Sequence, residues 1–369
     1  METKRRIKQV APAFFVLLIF VALFGMRNDE KEVLIDEQVQ VAVDEVEVVV
    51  EEVSNHVEIP DEVRGIYWTA YTGITERADE LLEYMVATGL NAVVIDAKMD
   101  NGELIEPERF EEILQKLKEQ NIYRIVRIAV MRDGRYAAEN PSIALRTQSG
   151  SLWNDSIGSV WVDPASEQVS DYAIELGESF YKVGFDEIQY DYVRFASDGA
   201  VDSIVYPVYD WTETKSAVMQ RFFKKVGGAM QGAGIPVSFD LFGMTYWSHY
   251  DFNIGQRLAD AFPYADYISP MVYPSHYPFD FEGLGDPNLA PYEIVKRSLD
   301  RGADLISGVW SGTEEGLRKH SRPWLQDFDI GAVYTAELIE AQIKGARDAG
   351  ASGWILWNAR NVYEPANYR

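Results

Sequence analysis

Glu187, Gln189 and Asp191 form one alternating row of ionisable and polar residues within the stretch from Gly184 to Phe195. Strand side chains point to opposite faces in turn, so this row shares a face while Ile188, Tyr190 and Tyr192 take the other. Burying such a row costs free energy unless its members are paired, solvated or used in a reaction. A second carboxylate, Asp240, is flanked by Phe239 and Leu241 in the same alternation. Two carboxyl groups in unlike surroundings can divide acid–base work: a nearby cation favours the ionised form of one, and an apolar setting raises the pKa of the other until it carries a proton. Asp191, three residues before Arg194, suits a nucleophile or base, and Asp240 suits a general acid. Each has a structural alternative, Asp191 as the ion-pair partner of Arg194 and Asp240 as a carboxylate hydrogen-bonded in the protein interior.

Further candidates close the other apolar runs. They are Trp68 and Tyr71, Asp96 and Lys98, Arg194 beyond Asp191, Tyr273 and His276, and Trp357 and Asn358, all expected to bind substrate. Aromatic rings beside carboxylates and amides suit sugars, whose apolar faces stack on the rings while their hydroxyls bond to Asp, Asn and Arg. Asp96 and Lys98 share a strand face, and they could equally pair with each other or with Arg127. Arg127 and Glu187 read as a buried structural pair, since a buried charge needs compensation. His276 can line a cleft, whereas His56, His249 and His320 read as surface or loop residues. No His-x-x-His or His-Glu-x-x-His pattern occurs and there is no cysteine, so neither a metal nor another cofactor is expected.

These residues need elements to position them. Strands are expected at Arg64–Trp68, Ala92–Ala97, Arg124–Val130, Glu187–Phe195, Val237–Phe242, Tyr267–Tyr273, Trp324–Phe328 and Gly353–Trp357. Helical spacing separates them, as in Ala78, Leu81, Leu82 and Met85, or Phe110, Ile113, Leu114 and Leu117. Eight β/α units in residues 63–369 predict a (β/α)8 TIM barrel, with the candidates at the carboxyl ends of the strands. A doubly wound sheet would bring a glycine-rich phosphate loop after its first strand, and the run from Tyr67 to Gly73 is not one. The long stretches Met131–Val162 and Ser275–Pro291 read as loops around the barrel mouth.

The chain begins differently. Lys4, Arg5, Arg6 and Lys8 precede the apolar run from Val10 to Met26, and acidic residues follow. That order predicts a membrane segment over residues 1–27, retained as a single-pass anchor or cleaved as a signal, with the rest of the chain outside the cytoplasm. Residues 28–62, rich in Glu, Asp and Val, read as an acidic linker, mostly disordered. The formal net charge of −25 argues against nucleic acid as a partner and favours neutral or cationic ligands.

Five motifs together resemble the glycoside hydrolase-like family DUF4015, grouped with the TIM-barrel glycosidases. They run from Val63 to Tyr71, Asn91 to Lys98, Glu187 to Phe195, Ser269 to Tyr277 and Gly353 to Asn358. The resemblance implies hydrolysis of glycosidic bonds; joined to the residues and the amino-terminal segment read above, it leads us to expect a hydrolase of an extracellular or cell-envelope polysaccharide with Asp191 as nucleophile or base and Asp240 as general acid. A carbohydrate-binding barrel without turnover is the alternative. A carbohydrate esterase is disfavoured, because no Ser-His-Asp order or metal cluster stands out.

Overall fold

Eight short parallel strands pair in chain order and close on themselves: β1 (Val63–Trp68), β2 (Ala92–Lys98), β3 (Tyr123–Ala129), β4 (Glu187–Asp191), β5 (Val237–Phe242), β6 (Tyr267–Met271), β7 (Trp324–Gln326) and β8 (Gly353–Trp357). Helices follow the strands, giving the expected (β/α)8 barrel. A computed structural model describes residues 54–363 and 365–369. The membrane segment expected over residues 1–27, and the linker as far as residue 53, lie outside the described residues. Among those described, no helix is long and apolar enough to cross a membrane.

Helical faces form where the apolar spacing predicts them. The helix Arg77–Thr88 buries Ala78, Leu81, Leu82 and Met85, and it stops at Gly89, whose φ of 78° is a left-handed cap that glycine adopts without a Cβ penalty. In Glu111–Glu119 the residues Ile113, Leu114 and Leu117 are buried, with Glu111 and Glu112 in the first turn and Lys116 and Lys118 in the last, each complementing the helix dipole.

Strand residues divide between two apolar layers. Tyr67, Val94, Ile125, Trp324 and Ile355 fill the barrel interior. Ile66, Trp68, Val93, Ile95 and Val126 pack outward against the helices. Trp68 therefore belongs to the wall, and Tyr67 is the inward residue at that end of β1.

Three strands end two or more residues earlier than expected, and β3 ends one residue early. β4 stops at Asp191 because Tyr192 adopts φ 53°, a left-handed conformation that costs a non-glycine residue about 1–2 kcal/mol. That turn carries Tyr192, Val193 and Arg194 out of the sheet. β6 ends at Met271 and β7 spans only Trp324–Gln326. Behind β4, Tyr190 donates its hydroxyl to Ala173 O at 2.9 Å and crowds Gly177, where a Cβ would stand 2.3 Å from that hydroxyl oxygen.

At the amino-terminal side the last residues of the expected linker are held to the barrel. Val57 N–H donates to Asp186 Oδ1 at 2.8 Å, Arg124 donates to Asn55 O at 2.8 Å, and the His56 ring stacks on Tyr181 at 4.0 Å.

Candidate active site

Strand register sets the height of each inward side chain. Arg127 stands beside Asp96 on one flank and Gln189 on the other, Asp191 stands beside Ala129, and Glu187 stands beside Ile125. Glu187 is thus one inward step below Arg127, and the two do not form the expected pair. Glu187 binds Arg322 instead, bidentately, with Nη1 to Oε2 at 3.0 Å, and accepts Ser238 Oγ at 2.6 Å.

The Arg127 guanidinium occupies the centre of the upper layer. Its Nη1 donates to Asp96 Oδ1 at 2.6 Å, its Nη2 and Nε donate to Asp191 Oδ2 at 2.5 and 3.1 Å, and its Nε stands 3.6 Å from Asp240 Oδ2. One cation faces three carboxyl groups. Asp96 also accepts the Tyr67 hydroxyl at 2.5 Å, and Asp191 Oδ1 accepts the Tyr192 backbone N–H at 2.5 Å. Asp240 Oδ1 accepts Trp324 Nε1–H at 2.7 Å, while its Oδ2 is buried without a hydrogen bond.

Three negative charges around one positive charge are unfavourable where water is excluded. Burial and then the charge of Asp191 hold the Asp240 carboxyl well above the usual carboxylate range, although Arg127 and Trp324 pull it down. Burial raises Asp96 as well, opposed by Arg127 and by the Tyr67 hydrogen bond. For Arg127 burial works against the charge, yet Asp96 and Asp191 outweigh it and raise its pKa. Of these carboxyl groups Asp240 is the one pushed furthest towards its protonated form. Exposure ranks the carboxylates: Asp191 keeps 7% and Asp96 5%, whereas Asp240 keeps none.

Aromatic side chains wall this floor. Trp357 lies on Tyr67 with ring centroids 4.0 Å apart and covers Arg127 at 5.2 Å. Tyr273 meets Phe328 edge-on at 5.4 Å and feels the charges of Asp240 and Asp191, with burial as the main cause of its raised pKa. His276 is exposed 5.3 Å from Tyr273. Tyr192 follows Asp191, and burial together with the charges of Asp191 and Asp100 pushes its phenol up to about 12.

Other expected site residues lie elsewhere. Trp68 is sealed in the outer layer. Tyr71 is half exposed on the helix Ala70–Gly73 and hydrogen-bonds Glu103. A register shift between Asp96 and Lys98 separates that pair, and Lys98 turns to Asp133 at 2.7 Å and to Ala129 O at 2.5 Å. Asn358 is buried and ties down its own loop by donating to Asp327 O and Val362 O. Arg194 does not pair with Asp191 but hydrogen-bonds Phe195 O and Ser197 Oγ. The sequence reading missed Tyr67, Trp324 and the central position of Arg127; inward alternation along β1 and across Arg322, Trp324 and Gln326 was the available signal.

The long loop after β3 is packed by its own tryptophans, since Trp153 and Trp161 are each 1% exposed, and it also reaches the site. Trp161 meets Tyr192 edge-on at 5.9 Å, and Arg132 donates to the Tyr192 hydroxyl at 2.9 Å. Among the described residues no group of three or more His, Asp or Glu side chains is placed to hold a metal ion. A groove of about 480 Å³ lined by Asn55, Arg124 and Lys182 involves none of these site residues.

The closed (β/α)8 barrel gathers its carboxyl groups and aromatic rings at the carboxyl ends of its strands, where barrel enzymes place their active sites. The chain belongs to the family DUF4015, described as "Putative glycosyl hydrolase domain", whose pattern matches residues 65–363. No curated protein matches it in sequence. Among solved structures it is similar to the PgaB (BpsB) glycoside hydrolase domain from Bordetella bronchiseptica, with 14% identity, TM-score 0.58, and 80% of this chain and 94% of that one covered. It is also similar to the beta-galactosidase of the psychrophilic Marinomonas ef1, with 15% identity, TM-score 0.53 and coverage of 80% and 53%. A third is the spore cortex-lytic enzyme SleL of Bacillus megaterium QM B1551, with 11% identity, TM-score 0.51 and coverage of 85% and 72%. At these identities the likeness is one of fold.

Proposed function

We propose that the barrel hydrolyses glycosidic bonds in an extracellular or cell-envelope polysaccharide, with Asp191 as nucleophile or base and Asp240 as the partner that carries the proton. The observation that carries this reading is the Arg127 group, in which burial and the charge of Asp191 push Asp240 towards its protonated form. Asp191 Oδ2 and Asp240 Oδ2 lie 3.1 and 3.6 Å from the same nitrogen. These distances cap the separation of the two oxygens near the boundary between retaining pairs, at roughly 5–5.5 Å, and inverting pairs, at roughly 6.5–9.5 Å. Trp357, the partly exposed ring of this wall, would take the face of a sugar ring, with Tyr67 buried behind it. The amino-terminal basic and apolar order supports a membrane-held protein with its barrel outside the cytoplasm.

Asp240 has no exposed surface, and this favours a second assignment of the acid. Asp96 is also raised in pKa, keeps a small exposed area and is hydrogen-bonded by Tyr67. Hydrolysis of a panel of defined glycans, followed by reducing-end release, tests both assignments with Asp191→Asn, Asp240→Asn and Asp96→Asn. The first reading expects Asp191→Asn to abolish release and Asp240→Asn to lower it about 10²–10⁴-fold. A loss of that size from Asp96→Asn, with Asp240→Asn near wild type, moves the acid to Asp96. Undiminished release by Asp191→Asn would overturn the site.

A further inference from the structure

The hydrolase reading leaves one buried cation unexplained. Among the described residues Arg124, Arg127, Arg132, Arg194 and Arg322 are the buried arginines. Arg124 pairs with Asp186, Arg127 with Asp96 and Asp191, Arg132 with Asp100 and Asp155, and Arg322 with Glu187. Arg194, 8% exposed, has no carboxylate partner within 4.0 Å, although the chain carries 59 acidic residues. Buried arginines without such a partner are uncommon, because the lost hydration must be replaced.

The contacts of Arg194 leave one edge open. Its Nη1 donates to Phe195 O and Ser197 Oγ, both at 3.0 Å. The guanidinium lies over Phe242 at 4.7 Å, Trp161 at 4.9 Å and Tyr192 at 5.5 Å. These rings offset part of the desolvation through cation–π attraction, but they offer no in-plane acceptor to the N–H groups. Nε and Nη2 make no hydrogen bond, and neither is sealed from solvent. Burial lowers the pKa of Arg194, whereas that of the carboxylate-paired Arg127, Arg132 and Arg322 is raised. Arg194 also lies over the Tyr192 ring, and Asp191 is the carboxylate whose charge acts on it most, which sets the guanidinium in the neighbourhood of the proposed nucleophile.

Two parallel N–H groups on a guanidinium edge match the two oxygens of a carboxylate. We propose that Arg194 forms a subsite for an anionic substituent of the glycan, the carboxylate of a uronic acid, next to the sugar engaged by Asp191. The proposal rests on the hydrolase reading and names a feature of its substrate. The net charge of −25 repels a polyanion at long range, but salt screens that field over about 8 Å while a partly buried contact is screened much less. The subsite thus selects one carboxylate rather than charge along the whole polymer.

Calorimetric titration of the full chain at physiological salt with tetragalacturonate, with its methyl ester and with a neutral tetrasaccharide bearing one sulfate ester tests this. The acid is expected to bind at least about tenfold more tightly than the ester, a difference of about 1.4 kcal/mol. Arg194→Gln should erase that preference and Arg194→Lys should keep part of it, with melting temperatures confirming that both variants fold. No binding of the acid, equal binding of acid and ester, or a preference that survives Arg194→Gln overturns the subsite. Stronger binding of the sulfate ester overturns its assignment to a carboxylate. Asp191-dependent cleavage of glycans with no such preference leaves the hydrolase reading standing without the subsite. An Arg194-dependent preference without cleavage of any glycan leaves an acidic-sugar site and removes the hydrolase.

Discussion

The two ends of the barrel interior treat buried charge in opposite ways. At the lower end Glu187 meets Arg322, one carboxylate to one guanidinium, both 0% exposed, and the carboxylate has further partners in Ser238 and Tyr123. Nearby, Asp186 and Arg124 are matched in the same ratio. At the upper end one guanidinium serves Asp96, Asp191 and Asp240, and Asp240 Oδ2 is left without a hydrogen bond. In the balanced pair both carboxylate oxygens are engaged, and the one polar atom left without a hydrogen bond, Arg322 Nε, is sealed in the interior where no ligand reaches it. An unbalanced group must hold a proton or take a cationic partner, and a reaction can use either. The count of carboxylates per guanidinium therefore separates framework from site within one barrel.

Breaking the balanced pair should give the largest loss of stability. Glu187→Gln leaves Arg322 as an uncompensated buried charge, and removing one partner of a buried ion pair costs about 3–5 kcal/mol. Denaturant unfolding should show this as a lower midpoint. Asp96→Asn relieves an excess of negative charge and should cost much less while depressing turnover. If the two variants lost equal stability, the distinction between the layers would fail.

The fold was legible in the sequence because its signals are local. The spacing of Ala78, Leu81, Leu82 and Met85 marks a helix face, and the alternation through Glu187, Gln189 and Asp191 marks an inward row. Partners across the barrel were not legible, since they depend on the register between strands. Arg127 looks level with Glu187 only until β3 and β4 are aligned at Ile125 and Glu187. Arg194 looks paired with Asp191 by spacing, but the left-handed turn at Tyr192 takes it out of the strand. Lys98 looks set on the same face as Asp96 until the register shifts between them.

The unbalanced end should respond to pH in a way the balanced end does not. Asp240 has a folded-state pKa raised above its unfolded value of about 3.9, so the folded chain retains a proton that the unfolded chain releases. The stability this contributes is complete below about pH 4 and is lost as pH rises through the raised folded value. Asn at this position still offers an oxygen to Trp324 Nε1–H and cannot ionise. The stability of wild type relative to Asp240→Asn should therefore fall as pH increases, and the alkaline limb that Asp240 gives the activity profile should be missing in the variant. A difference in stability that stayed constant from pH 4 to 9 would show that Asp240 holds no extra proton in the folded chain.

The smallest effect should come from the amino-terminal edge of the balanced end. Val57 N–H and Asn55 O complete the hydrogen bonding of Asp186 and Arg124, and Asn91 Nδ2 is satisfied by Glu62 O just before β1. A chain that starts at Ser54 keeps all three contacts, whereas one that starts at Pro60 loses the first two. Asp186 still accepts from Arg124 N–H and from its Nε and Nη2, at 2.8, 2.8 and 2.6 Å, so the pair survives and only its outer bonds pass to water. Two hydrogen bonds of about 0.5–1.5 kcal/mol each, with the His56–Tyr181 stack, set the expected cost at about 1–3 kcal/mol. Thermal unfolding should place the shorter chain a few degrees below the longer one, with the activity of both unchanged. Equal melting temperatures would show that these contacts add nothing, and that the matched pair of Asp186 and Arg124 closes the lower end of the barrel without them.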